Sequence, residues 1–163
     1  MRRSLLALSA LVTLSACSTP DPRVELEVTE VESYWAIDAP TGQTQFIAPV
    51  VRLHVHHRGA KPHRAVSATA TFTRKGETQA WSTAYHQVSP AGKSFAPGET
   101  RLVVLKPEGE GRYSSPGAPE AMFQNPHFKD VHCDVFLRIG AGNWIKFAET
   151  DVERRIGPRG EAK

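Results

Sequence analysis

The sequence predicts an all-β domain, an antiparallel β-sandwich of about seven strands behind a cleaved leader. Three observations carry this. Apolar and polar residues alternate with period two through most of the chain, Gly- and Pro-rich turns recur between the alternating stretches, and no segment after the leader holds a helical period.

The leader comes first. Arg2 and Arg3 form a short positive segment, and Leu5, Leu6, Leu8, Leu11, Val12 and Leu14 an apolar run. The run is about half of the ~20 residues needed to cross a hydrocarbon core, so a retained transmembrane helix is not expected. It ends in Leu14-Ser15-Ala16-Cys17. An aliphatic residue, two small residues and Cys, in that order behind the charge and the apolar run, resemble the lipobox of bacterial lipoproteins. The resemblance implies cleavage before Cys17, diacylglycerol on its thiol and usually a third acyl chain on its new amino group. Two or three chains, at ~0.8 kcal/mol per buried methylene, anchor a protein stably. It also implies an envelope location, and by the sorting rule of enteric-type bacteria Ser18 favours the outer membrane, facing the periplasm. Residues 1–16 are therefore read as signal peptide, 17–22 as lipidated Cys and tether, 23–150 as the sandwich and 151–163 as a polar tail. The Pro-stiffened tether reaches only about 15–18 Å, so the domain rides close to the bilayer.

Removing residues 1–16 leaves 147 residues, enough for one domain with its own core. The formal charge of +3 falls to +1 once Arg2 and Arg3 are lost. No Lys/Arg block of the nucleic-acid-binding kind remains. Two cysteines in an oxidising compartment invite a disulfide. With Cys17 a thioether, however, Cys133 is left a lone thiol, expected to be buried.

The strands follow in order. Val24, Leu26 and Val28 alternate with Glu25, Glu27 and Thr29. Residues 45–57 place Val51, Leu53 and Val55 on one face and Arg52, His54 and His56 on the other. His57-Arg58-Gly59-Ala60-Lys61-Pro62 is a turn. Val66, Ala68, Ala70 and Phe72 then alternate with a Thr-rich face suited to a strand. Lys75-Gly76 turns the chain into a strand over residues 79–87 carrying Trp81 and Tyr85. Ala96-Pro97-Gly98-Glu99 precedes a strand over 100–106. The last pair covers 129–140, with Val131, Cys133, Val135, Leu137 and Ile139 on one face, and 143–149, joined by Ala141-Gly142. The succession of strand, His-x-Gly turn, Thr-rich strand, Gly hairpin and Ala-Pro-Gly-Glu turn over residues 45–106 resembles small bacterial immunoglobulin-like modules of the adhesion-related and FxLYD kind. These typically show Asn-x-Gly where this chain has His57-Arg58-Gly59. The resemblance implies an immunoglobulin-like sandwich and no particular activity.

Residues 107–128 stand apart. The stretch holds Pro107, Pro116, Pro119 and Pro126, and also Tyr113, Met122, Phe123 and Phe128, with one helical turn expected near 120–124. Loops beyond ~12–15 residues are uncommon and often functional. Two readings stand open: a long inter-sheet connection whose aromatics cap the sandwich, or a binding loop presenting Tyr113 and Phe123 to a partner.

His54-Val55-His56-His57 is the one cluster with metal-ligand character. His54 and His56 project from one strand face, where both imidazoles could reach one zinc or copper ion, with His63, or His132 and Asp134, as a further ligand if those strands are neighbours. His132-Cys133-Asp134 fails as a catalytic trio, because alternation sends Cys133 to the face opposite His132 and Asp134. No nucleophile elbow or P-loop is present, and Gly109-Glu110-Gly111 and Gly140-Ala141-Gly142 lack a strand-turn-helix context. The expectation is a non-catalytic, membrane-anchored binding or adaptor protein with an envelope protein partner and no nucleic acid. A metal- or small-ligand-binding lipoprotein using His54 and His56 is the alternative. Cys17→Ser is expected to move the protein from the membrane pellet to the soluble fraction and to remove the acyl mass from its N-terminal peptide. Unchanged membrane partition would overturn the anchor.

Overall fold

A computed structural model describes residues 20–41, 44–115 and 117–157. Cys17 and the rest of the lipobox, Pro116 and the end of the tail lie outside the described residues. The domain is an antiparallel all-β sandwich. One sheet runs β1 (Leu26–Thr41), β2 (Thr44–His57) and β5 (Thr100–Leu105), with β6 (Tyr113–Ser115) also paired to β2. The other runs β4 (Ser82–Gln87), β3 (Val66–Arg74), β7 (Val131–Ile139) and β8 (Ile145–Asp151). A helical turn, α1 (Pro22–Glu25), leads into β1, and a 3-10 helix, Pro119–Gln124, lies between β6 and β7. No described helix is long and apolar enough to cross a membrane.

The period-two pattern places the core. Val51, Leu53 and Val55 of β2, Val66, Ala68, Ala70 and Phe72 of β3, and Val131, Cys133, Val135, Leu137 and Ile139 of β7 all turn inward and are buried. β3 pairs with β7 from Val66↔Ile139 to Arg74↔Val131 without a slip. Register holds because a one-residue shift would turn every one of these side chains out to water.

Three expectations change. The first strand begins at Leu26, so Val24 lies on α1 and is exposed. Asp21 caps that turn, its carboxylate accepting from the Arg23 N–H at 2.9 Å, and Pro22 occupies the first turn where its missing N–H costs nothing. Second, β1 runs on to Thr41, well past the alternating residues. Glu30 sits in the left-handed region, φ 53°, and the β1–β2 register shifts between Thr29 and Glu32. The bulge breaks the alternation, and beyond it Ser33, Tyr34, Trp35 and Ala36 are consecutively buried.

Third, the tail is not a free polar segment as far as Gly157. Trp35 N–H donates to the Arg155 carbonyl at 2.9 Å, Gly157 N–H donates to the Trp35 carbonyl at 2.9 Å, and Ile156 forms a parallel bridge with Trp35. Val152 is buried and Ile156 packs on the core. Arg154 grips Asp130 with both Nε and Nη2, at 2.7 and 2.9 Å, and Arg155 pairs with Glu153 at 2.7 Å, so Arg154 and Arg155 are engaged with the protein.

Phe72 is fully buried between the sheets. Phe72→Ala is expected to cost about 3–5 kcal/mol in urea unfolding, whereas Val24→Ala should stay within about 0.5 kcal/mol.

Candidate functional site

Period two carries on past Val55 to His57, so that residue shares the inward face of Val51, Leu53 and Val55 and is 0% exposed. The register Leu26↔His57 brings the end of α1 beside it. Arg58 and Gly59 donate their backbone N–H groups to the Glu25 carbonyl, at 2.8 and 3.2 Å, fixing that turn against the β2 exit. The chain then doubles back through Pro62, and His63 exchanges backbone hydrogen bonds with Phe95 at 3.0 and 2.7 Å. Three side chains converge. His63 Nε2 lies 3.1 Å and His57 Nε2 3.7 Å from Glu25 Oε2, and the two imidazoles are 4.8 Å apart between ring centres.

Phe95 closes the inner side, 5.3 Å from the His57 ring. Side-chain exposure is 23% for Glu25 and 10% for His63, so water reaches the cluster from its carboxylate side. Gly59 makes room for this approach. A Cβ on it would stand 1.6 Å from Glu25 Oε2 and 2.9 Å from His57 Nε2. Neither ring nitrogen of His57 meets a hydrogen-bond partner among the described residues. An orphaned buried polar group of that kind costs about 1–3 kcal/mol.

The predicted ligands do not assemble. His54 and His56 do share the outward face of β2, but His54 Nδ1 pairs with Glu30 at 2.8 Å and His56 Nδ1 with Thr100 Oγ1 at 2.9 Å. His132 belongs to β7 in the other sheet, so it cannot complete a site with them. It bonds Asp151 at 2.8 Å and lies near Asp134 and Glu149. Lys146 already bridges those two carboxylates, 2.6 Å from Asp134 and in contact with Glu149, and Asp134 first, then Glu149, holds its ammonium above the usual lysine range. A cation there would have to displace Lys146. The signal missed in the sequence was parity: His57 reads as the start of a turn, yet it continues the buried face by two residues.

The aromatics of residues 107–128 turn inward. Tyr113, Phe123 and Phe128 surround the buried Trp35, with ring centres 5.7, 6.4 and 5.2 Å away, and Tyr113 also stacks on Trp81 at 4.9 Å. Met122 is buried in the same core. Of the two readings of this stretch, the capping connection is the one the packing supports. Tyr113, Phe123 and Phe128 are partly buried against that core.

Cys133 is buried among the β7 apolar residues, and burial, with Asp134 adding to it, pushes its thiol up to about 12. The neutral thiol therefore contributes stability that is complete below the unfolded-chain value of roughly 8.5 and is lost as pH rises through the folded value.

Residues 1–18 match the family model for the prokaryotic membrane lipoprotein lipid attachment site. The chain carries a lipoprotein attachment site and is a lipid-anchored protein of the cell envelope. No curated protein matches it. Among solved structures it is similar to a Bordetella pertussis protein described as ApaA, at 17% identity and TM-score 0.39 over 78% of this chain and 92% of that one. It is similar also to an Archaeoglobus fulgidus protein, at 13% identity and TM-score 0.40 over 77% and 95%. A third is a GH20 exo-β-N-acetylglucosaminidase of Vibrio harveyi, at 12% identity and TM-score 0.26, where 82% of this chain spans 19% of that enzyme.

Cys133 is expected to resist thiol reagents in the native protein at neutral pH and to react once urea unfolds it. Its stability in alkali should fall more steeply than that of Cys133→Ala. Rapid native labelling would contradict the burial.

Proposed function

We propose that this protein is a non-catalytic binding domain, held at an envelope membrane by the lipid on Cys17, that docks an envelope protein through the outer face of its β4–β3–β7–β8 sheet. Ser18 supports an outer-membrane, periplasm-facing location. The strand order supports an immunoglobulin-like reading of the sandwich, with the first, second and fifth strands in one sheet and the third, seventh and eighth in the other.

One observation carries the binding role. Tyr85 and Trp144 are 58% and 36% exposed, large for aromatic side chains. Their rings meet edge to face at 6.5 Å, and the Arg138 guanidinium lies 4.4 Å over the indole. Tyr85 is held in place by its hydroxyl, which donates to Gln87 Oε1 at 2.6 Å and lies 3.0 Å from Ser67 Oγ. Trp, Tyr and Arg are the residue types that most often dominate binding energy between proteins, and rings held against one another lose little entropy on docking.

In-cell cross-linking of the tagged lipoprotein, read by mass spectrometry, tests this. Tyr85→Ala with Trp144→Ala is expected to weaken capture of the partner at least tenfold, about 1.4 kcal/mol or more, with membrane localisation unchanged. Cys17→Ser should lose the partner by removing the domain from the membrane. Undiminished capture by the double variant would overturn the assignment of this face.

A further inference from the structure

We infer that Glu25, His57 and His63 form a binding site for a first-row divalent cation, zinc by its donor set, which clips the segment next to the lipid tether onto the sandwich. The inference is independent of the partner-binding face, which lies on the other sheet.

The geometry argues for it on five counts. Two imidazoles and one carboxylate are the three protein ligands of a common type of zinc site, with a fourth position left for water. The three donor atoms all lie within 4.8 Å of one another. The Glu25–His63 and Glu25–His57 separations of 3.1 and 3.7 Å bracket the roughly 3.3 Å spacing of donors held about 2.0–2.1 Å from a tetrahedral ion. The ligands also come from three separate backbone segments, each fixed by main-chain hydrogen bonds, so small side-chain rotations complete the set.

The remaining count is His57 itself. Its side chain is fully buried, sits against Phe95, and neither nitrogen finds a protein partner, although its Nε2 faces the Glu25 carboxylate. A histidine held only for packing could be replaced by an apolar ring. A lone pair aimed at a carboxylate and a second imidazole is what a cation needs. Gly59 keeps the space beside that carboxylate clear of any Cβ.

The ion would join α1 to the turn between β2 and β3. Since α1 follows the tether directly, metal occupancy would set where the chain leaves the domain toward the bilayer.

The test uses the full-length lipidated protein in detergent, stripped with a chelator and titrated with zinc alone, then with cobalt as a spectroscopic probe. The expected result is one equivalent bound, a rise in Tm, and shifted imidazole nitrogen resonances for two of the seven histidines in the unaltered protein. Glu25→Gln and His63→Gln, which alter partly exposed ligands, should each weaken binding at least tenfold. His54→Ala with His56→Ala, and His132→Ala, should leave it unchanged. The resonance shifts need no variant and keep the test decisive if a substitution impairs folding. No saturable one-equivalent binding, or binding indifferent to Glu25→Gln and His63→Gln, would overturn the site.

Discussion

The pairing of β1 with β2 is the constraint on which the rest of this domain depends. It is the longest ladder among the described residues, running from Leu26↔His57 to Thr41↔Thr44 with a bulge at Glu30. Its near end sets α1 against the turn after His57 and so brings Glu25 to two imidazoles. Its far end buries Trp35, around which Tyr113, Phe123, Phe128 and the tail residue Ile156 are arranged. The bulge lets one strand serve both ends, because it changes which side chains face inward midway along the strand. A left-handed non-glycine residue carries a cost of order 1–3 kcal/mol, sustained only where the surroundings demand it. Here Glu30 also meets His54 at 2.8 Å, which ties the bulge to the neighbouring strand.

Strands with clean alternation were legible from the sequence, and for one reason. β2, β3 and β7 each have one face in the core and one toward water, so polarity reports directly which way a residue points. Thr69, Thr71 and His132 face outward as their positions require, and Cys133 faces inward. Legibility failed where a residue has protein on both sides. Tyr34, Trp35 and Ala36 are consecutively buried, the tail covering the first two, and a run buried on both faces has no period to read. Likewise Phe123 and Phe128 read as loop because the order there comes from packing around Trp35 and not from a repeating ladder.

The candidate site was half legible. The His54–His57 cluster drew attention for its composition, but strand parity divides it: His54 and His56 face water, while His57 faces Glu25 and Phe95. The distant partners, Glu25 and His63, depend on register and on a doubled-back turn, and neither is readable from local pattern. The residues 107–128 misled in the opposite way. Aromatic richness in a long loop fits equally a partner-binding surface and a lid over a core, and only the position of Trp35 decides between them. Tyr85 lies on the outward face of β4, but Trp144 precedes β8, and the meeting of the two rings is a tertiary contact that local pattern does not show.

Residues 152–157 close over β1, the first strand of the chain. A polypeptide made and exported from its N-terminus therefore releases its opening strand long before it releases the segment that covers it. Until residues 152–157 emerge, Trp35 lacks these neighbours and one flank of β1 stays open. The core is thus sealed late, which makes loss of residues 152–157 a lesion of folding as much as of length. The two ends of the domain act as clasp and hem of one garment, fastened only when the whole cloth is through.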